Sequence, residues 1–197
     1  NDSQATAIGE YVYGNDHQTD RNLIVVNVKH GIGAGILING RLFQGDGGGA
    51  GEIGHVVVRE DGKLCRCGKY GCLETIASAH AVVLRYDEMI QANPAIYSSL
   101  KDTQIDLAAI ETAFQQGDPL AKQVIYEAGA ALGASIANLI GVLNIKKIVL
   151  TGDMARFGEP WRQFVQTAMM QSSFSRLAEN TKLEIGALDF RACILGA

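Results

Sequence analysis

The sequence has few aromatic residues, little excess charge and no long uninterrupted apolar run. Aromatic side chains make up 7% of the 197 residues, against 23 glycines, which indicates turns and close backbone approaches rather than an aromatic binding face. The net charge of −4 lacks the basic excess with which proteins bind nucleic acid, so direct DNA contact is not expected. Glycines and Asn138 interrupt the most apolar stretch, residues 128–143, which predicts a buried helix and no membrane span.

The first residues, 1–4, are polar and do not resemble a secretory signal. We therefore expect a reducing, cytoplasmic environment, in which disulfides are rare. The sequence also lacks a starting methionine, so we expect it to have been cut from a longer chain.

Strand-like and helix-like segments alternate along the chain, which predicts an α/β architecture. Short apolar runs predict strands at residues 23–28, 55–58, 146–150 and 182–187. Helical spacing predicts helices at residues 2–13, 73–91, 106–116, 119–143 and 160–171. Asn39 and Gly40 predict a hairpin, and the glycines of residues 31–35 are interpreted as a turn. The small residues of the long helix fit either the core or a dimer interface, and we expect the core.

Residues 55–72 contain four potential metal ligands: His55, Cys65, Cys67 and Cys72. Zn²⁺ prefers a tetrahedral set of soft or borderline ligands, and three cysteines with one histidine form a common structural site. Gly68 and Gly71 allow the backbone to fold tightly around an ion. Four protein ligands leave no open coordination position, so the predicted zinc is structural and not catalytic.

A disulfide or a set of free thiols is the alternative interpretation of the cysteines. The expected reducing environment argues against disulfides, and a bond between Cys65 and Cys67 would be strained. The remaining cysteine, Cys193, is remote in the sequence. The pattern therefore favours zinc.

The motifs around these ligands are specific enough to suggest a family. Residues 51–55 are Gly-Glu-Ile-Gly-His, and residues 65–74 are Cys-Arg-Cys-Gly-Lys-Tyr-Gly-Cys-Leu-Glu. With the glycines at 31, 33, 35 and 45, this combination resembles the ROK family of bacterial sugar repressors and sugar kinases, in particular the N-acetylglucosamine and xylose repressor-like members. The resemblance covers nearly the whole chain and implies the actin-like ATPase, ribonuclease-H-like fold.

The resemblance also implies what lies outside the chain. Asn1 and Asp2 match the end of a Glu-Asn-Asp segment that sits partway along full-length members. We therefore expect residues 1–197 to be mainly the C-terminal lobe, a sugar-binding effector domain with its zinc knuckle at residues 55–72. The first lobe with its phosphate loop, the winged helix-turn-helix of the repressors and a closing helix are expected elsewhere.

The resemblance assigns a sugar site to five residues: Asn1, Asp2, Glu52, His55 and Glu74. Asp2 matches the catalytic base of the kinase members, and His55 would bind zinc with one ring nitrogen and the sugar with the other. Carboxylates and amides make directional hydrogen bonds to vicinal hydroxyls, so the chemistry is suitable. Solvated loop carboxylates are the alternative for Glu52 and Glu74. His17, His30 and His80 receive no function.

Two departures from the family bear on ATP. ROK kinases carry Gly-Thr-Gly where residues 29–31 are Lys-His-Gly, and Gly-Gly-Gly where residues 151–153 are Thr-Gly-Asp. Bulky side chains and an added carboxylate are unfavourable beside phosphates. The departures favour a sugar-responsive repressor without enzymatic activity. A fragment of a sugar kinase is the alternative, and a zinc-stabilised protein–protein interaction domain without sugar affinity is a third.

The repressor interpretation implies a set of partners. They are a sugar or sugar phosphate, DNA through the winged helix-turn-helix that this chain lacks, and further copies in a homodimer or homotetramer. No membrane partner is expected.

Overall fold

The computed structural model describes residues 1–14, 20–93, 95–101, 104–188 and 191–197; His17 therefore lies outside the described residues. The β-strands are β1 (Leu23–Val28), β2 (Ile32–Ile38), β3 (Arg41–Leu42), β4 (Lys147–Thr151) and β5 (Lys182–Ile185). The α-helices are α1 (Asp2–Tyr13), α2 (Glu74–Ala77), α3 (Ala79–Ala92), α4 (Leu107–Gln115), α5 (Pro119–Leu143), α6 (Gly158–Ser172), α7 (Ser175–Ala178) and α8 (Arg191–Leu195). Short 3₁₀-helices cover Ile53–His55 and Asp153–Phe157.

The strands form one mixed sheet in the order β3-β2-β1-β4-β5. Strand β1 pairs antiparallel with β2 and parallel with β4, and β4 pairs parallel with β5. Alternate residues of β1 enter separate cores: Ile24 and Val26 join the large core under α2–α6, whereas Leu23 and Val25 meet Ala7 of α1. The sheet is therefore covered on both faces, which explains why the β1 sequence is almost continuously apolar.

Most predicted elements are confirmed to within two residues. The predicted helix at residues 73–91 is instead two helices, α2 and α3, because Ser78 adopts an extended conformation between them. The buried Ser78 hydroxyl accepts a hydrogen bond from the Ala81 N–H and so caps α3. The Asn39–Gly40 hairpin is confirmed, with positive φ at both residues.

The glycines interpreted as a turn at residues 31–35 lie mostly in strand β2, which begins at Ile32. A Cβ atom at Gly33 would lie 2.5 Å from the Ser3 Oγ, and one at Gly35 would collide with Ala7. These glycines therefore allow α1 to approach the sheet closely. The turn interpretation was wrong because glycine is favoured both where two segments of backbone approach closely and where the chain reverses direction.

The strand predicted at residues 55–58 is not present. His55 ends a 3₁₀-helix, and Val57 makes only an isolated bridge with Cys72. Val56 and Val57 are 49% and 46% exposed. The valines at 56–58 do not form a strand, because the neighbouring Cys/Gly segment turns too often to provide a continuous ladder of backbone hydrogen bonds.

Helix α5 is a core helix whose small residues face α6. A Cβ atom at Gly133 would lie 2.6 Å from the Val165 carbonyl oxygen, and Gly129 lies beside Phe164 and the buried Trp161. By length and composition alone α5 is long and apolar enough to cross a membrane, but 56% of its most apolar window is buried in the protein. The expectation that this face belongs to the core is confirmed.

Candidate metal centre and sugar cleft

The four predicted ligands converge. The ligand atoms of His55, Cys65, Cys67 and Cys72 all lie within 4.8 Å of one another. The Cys65 Sγ is 3.5 Å from the His55 Nδ1, and the Cys67 and Cys72 sulfurs are 3.6 Å apart. Tetrahedral zinc separates such ligand atoms by about 3.5–3.8 Å, so the group fits a zinc ion, whereas a disulfide needs about 2.05 Å. These residues can hold a metal ion.

Glycines fix the backbone of residues 63–72, the part of the zinc knuckle that contains its three cysteines. The Gly71 N–H donates to the Lys63 carbonyl at 2.8 Å, and the Cys65 N–H donates to Lys69 at 2.8 Å. Gly71 has a φ of 70°, and a side chain there would collide with the Arg59 carbonyl. Only glycine both adopts this positive φ readily and leaves room for the Arg59 carbonyl, so the sequence itself favours the tight fold of the knuckle.

The environment of the thiols suits metal binding. Burial raises the pKa of the Cys72 thiol to about 12, so this group keeps its proton when no metal is bound. At the exposed Cys67, a backbone hydrogen bond from Lys69 lowers the pKa. Metal binding replaces the thiol protons and provides the positive charge that the buried Cys72 sulfur needs as a thiolate.

Three of the predicted sugar residues, Asn1, Asp2 and Glu52, line one cleft of about 240 Å³. The Asn1 Nδ2 donates to the Glu52 Oε1 at 3.1 Å. The Asn1 Oδ1 accepts from the Ser3 N–H at 2.9 Å, which also makes Asn1 the N-cap of α1. The same side chain thus begins a helix and orients a carboxylate of the cleft.

The other two predicted sugar residues, Glu74 and His55, do not line the cleft. The Glu74 side chain is only 10% exposed, and it accepts hydrogen bonds from Arg66 and from the Ile32 N–H at 3.1 Å. His55 belongs to the metal centre, and its second role as a sugar ligand stays a prediction. The structure therefore separates the five residues into an open set of three, the half-buried His55 and the buried Glu74.

Sequence reasoning missed three residues of the cleft: Asn27, Lys29 and Arg66. Asn27 is buried in β1, and among the described residues its Oδ1 has no hydrogen-bond partner. A polar amide within the apolar run of residues 23–28 was the available signal, since buried polar groups are normally paired. Lys29 and Arg66 add positive charge to the cleft that Asp2 and Glu52 also line.

The two histidines left without a function are in contact. The rings of His30 and His80 are stacked, with centroids 4.5 Å apart and an interplanar angle of 20°. His80 lies in the first turn of α3, and His30 occupies the middle position of the segment that is Gly-Thr-Gly in ROK kinases. Both rings line a second hollow of about 270 Å³, which shares Arg66 with the cleft.

The loop after β4 approaches the same end of β1. Gly152 has a φ of 92°, and a Cβ atom there would lie 2.6 Å from the Val28 carbonyl oxygen and 2.7 Å from the Asn27 Oδ1. Asp153 follows at the start of a 3₁₀-helix. The two departures from the kinase pattern therefore lie at the ends of neighbouring parallel strands, β1 and β4.

Comparison with known proteins agrees with the resemblance. The ROK family model matches residues 1–197. The crystal structure of a ROK family transcriptional regulator, a homologue of the E. coli MLC protein, superposes with a TM-score of 0.91 at 34% identity and covers 100% of this chain and 49% of its own.

Curated relatives include both regulators and kinases. The transcriptional dual regulator NagC of Escherichia coli is 33% identical over 98% of this chain and 47% of NagC. A glucokinase of Halalkalibacterium halodurans is 31% identical over 100% of this chain and 60% of the enzyme. The chain thus spans about half the length of the regulators it matches and has the predicted actin-like ATPase fold. This chain belongs to the ROK family.

Proposed function

We propose that this chain is the sugar-binding effector domain of a ROK transcriptional repressor that controls genes of carbohydrate metabolism. One observation carries the proposal: the segment that is Gly-Thr-Gly in ROK kinases holds Lys29 and a His30 ring stacked on His80. Phosphate loops need exposed backbone N–H groups and little side-chain bulk. The similarity to NagC and to the MLC homologue supports the same proposal.

The proposed effector is a sugar or a sugar phosphate bound in the cleft. Asn1, Asp2 and Glu52 would bind its hydroxyls directly, with His55 and Glu74 completing the site. The Asn1–Glu52 hydrogen bond supports this assignment, because it holds two of these groups in a fixed relative orientation before any ligand binds.

The proposed metal is one structural Zn²⁺ ion held by His55, Cys65, Cys67 and Cys72. It would fix the knuckle, whose backbone continues directly into Glu74 and α2. Four protein ligands saturate the ion, so its proposed contribution is rigidity and not Lewis-acid chemistry.

The proposed whole protein is a cytoplasmic homodimer or homotetramer without a membrane partner. Its first lobe and its DNA-binding winged helix-turn-helix would lie outside this chain. Sugar binding would close the cleft between the lobes and change the spacing of the DNA-binding heads. Such coupling requires the sugar to prefer one arrangement of the protein over the other.

A sugar kinase is the second candidate. Asp2 lines the cleft, where it would act as the base that accepts the proton of the sugar hydroxyl. The similarity to a glucokinase supports this alternative. The repressor proposal takes Asp2 as a binding residue only.

The test is calorimetric titration of the full-length protein with glucose, N-acetylglucosamine, xylose, allose and N-acetylmannosamine, each with and without Mg-ATP. The repressor proposal expects one sugar to bind with no ATP binding or consumption. ATP hydrolysis in step with sugar phosphorylation would establish the kinase. The absence of binding by every sugar, and by its phosphate, would favour a zinc-stabilised interaction domain.

A further inference from the structure

Arg66 connects the metal centre with the cleft. It lies between two of the candidate ligands, Cys65 and Cys67, and its guanidinium faces Glu74. The Arg66 Nε donates to the Glu74 Oε1 at 2.7 Å, and the Arg66 Nη2 donates to the Glu74 Oε2 at 3.2 Å. Such two-point pairs fix the direction of both groups more strictly than a single contact does.

The environment of Glu74 makes this pair more than a surface contact. The Arg66 side chain is 71% exposed, but the Glu74 side chain is only 10% exposed. Besides Arg66, the Ile32 N–H donates to the Glu74 carboxylate. A buried carboxylate that loses its cationic partner is strongly unfavourable, so Arg66 controls whether Glu74 keeps this position.

Gly31 shows that the pair is built into the fold. A Cβ atom at Gly31 would lie 2.6 Å from the Glu74 Oε2 and 3.2 Å from the Arg66 Nη2. The ion pair therefore lies against the backbone between β1 and β2, at a point where only glycine leaves room. Gly31 and Arg66 also line the cleft, so the pair forms part of its wall.

We infer that Arg66 is a positioning residue that links metal binding to sugar binding. A metal ion on Cys65 and Cys67 fixes the backbone on both sides of Arg66, and Arg66 in turn holds Glu74 at the cleft. Loss of either the metal ion or the Arg66 guanidinium would leave the same wall of the cleft, the one that contains the Arg66–Glu74 pair, free to move. By thermodynamic reciprocity, the sugar strengthens metal binding by the factor by which the metal strengthens sugar binding.

The inference rests on the proposed function, because it requires a sugar in the cleft. The experiment titrates the same five sugars into full-length wild type, Arg66→Ala and Arg66→Lys, each with zinc and after removal of zinc by EDTA. Zinc removal is expected to weaken sugar binding by wild type about 5- to 150-fold, the usual range of coupling between two binding sites. Arg66→Ala should bind the sugar more weakly than wild type with zinc present, and zinc removal should weaken it less than it weakens wild type, the remaining effect passing through His55.

Two further measurements separate positioning from loss of structure. Zinc content and the zinc-dependent rise in melting temperature should be the same in Arg66→Ala as in wild type. Arg66→Lys keeps one donor and should retain part of the sugar affinity. The control is Arg85→Ala, which breaks an exposed ion pair with Glu127 between α3 and α5 and should leave sugar affinity unchanged.

Four results would overturn the inference. Wild-type sugar affinity in Arg66→Ala, or an undiminished effect of zinc removal on that variant, contradicts the link and leaves the proposed function intact. The failure of wild type to bind any of the sugars removes both. If Arg66→Ala does not fold, Arg66→Lys decides, since equal affinities in Arg66→Lys and wild type under both zinc conditions contradict the two-point pair.

Discussion

Asp118 stabilises two segments with one carboxylate. Its Oδ1 accepts from the Ala121 N–H at 2.9 Å and caps α5, while its Oδ2 accepts from the Ser99 N–H at 2.7 Å and from the Ser99 hydroxyl at 2.9 Å. The residue is buried. Loss of the Asp118 side chain therefore removes the acceptor for hydrogen-bond donors at the start of α5, the longest described helix, and in the loop before α4.

Asp118→Asn is expected to lower the free energy of unfolding by about 1–2 kcal/mol at pH 7, because asparagine still caps α5 but its NH₂ group cannot accept the two charge-assisted hydrogen bonds from Ser99. Burial opposes the charge of Asp118, but the N–H groups of Ser99 and Ala121 outweigh it and hold the carboxyl pKa below its ordinary value of 3.8. A depressed folded-state pKa stabilises the protein above pH 3.8, and this contribution is lost as the pH falls through the folded-state pKa.

Urea unfolding at pH 7 and at pH values below 3.8 tests this prediction. The difference between wild type and Asp118→Asn should shrink over the acid range. The matched control is Asp106→Asn, at the exposed N-cap of α4, where a smaller loss is expected. A larger loss at Asp106 than at Asp118 would contradict the argument from burial.

The residues of the candidate site differed in how far their sequence identified them. His55 and the three cysteines were found because their spacing meets the demands of one ion. Arg66 and Asn27 were not, because their importance depends on contacts with Glu74 and Thr6 that form only when the chain folds. The stacking of His30 on His80 likewise depends on the packing of the β1–β2 turn against α3.

We expect the fold of the knuckle to depend on a bound metal ion. We expect about one zinc ion per chain, because the four ligand atoms fit one tetrahedral ion. Cys72→Ser should lose the zinc and lower the melting temperature, since the buried Cys72 thiolate is its least replaceable ligand. Cys193→Ser, outside this cluster, should retain both properties; elemental analysis and thermal unfolding make the comparison. Full zinc occupancy in Cys72→Ser would contradict the assignment.

The contact between α5 and α6 offers a matched pair of glycines. A Cβ atom at Gly133 would lie within 2.6–2.8 Å of Val165, Ala168 and Met169, whereas one at Gly141 meets nothing within 4 Å. Gly133→Ala is expected to lower the free energy of unfolding by about 1–3 kcal/mol through overpacking. Gly141→Ala should raise it by about 0.5–1 kcal/mol, because alanine favours the helix.

Chemical denaturation of Gly133→Ala and Gly141→Ala tests both the expected decrease and the expected increase in the free energy of unfolding. Equal effects would mean that the approach of α6 does not constrain α5.

The sequence predicted α5 accurately, since capping residues and helical spacing are local signals. It misassigned the glycines of β2 and the valines at 56–58, because those assignments depend on which neighbour is present: α1 in the first case, an irregular knuckle in the second.

At the scale of the whole molecule, the proposed function requires the cleft to influence DNA. Full-length protein should bind a duplex selected from a random pool, and the effector sugar should change that affinity by about 5- to 150-fold, the usual range of allosteric coupling. Asp2→Asn should lose the response to sugar and retain DNA binding, because Asp2 lies in the cleft. Fluorescence anisotropy of labelled DNA measures both; an undiminished sugar response in Asp2→Asn would contradict the role of Asp2.

The α/β class and the family were predictable for the whole molecule because glycine and ligand spacings are specific to this fold. The different exposure of the individual site residues was not predictable. Asn1, Asp2 and Glu52 are open to the cleft, whereas Glu74 is covered by Arg66, and this difference arises only when β2, the knuckle and α2 are packed together.

The buried Trp161 is the only tryptophan of the chain and lies between α5 and α6. Its indole N–H has no hydrogen-bond partner among the described residues, and the ring is shielded from water. The chain therefore contains a single tryptophan, which can be excited at wavelengths that the six tyrosines do not absorb. Its emission should lie at short wavelength in the folded state and move to the red on unfolding. Because the indole lines neither the cleft nor the knuckle, its spectrum reports the integrity of the helical layer while ligands are titrated elsewhere.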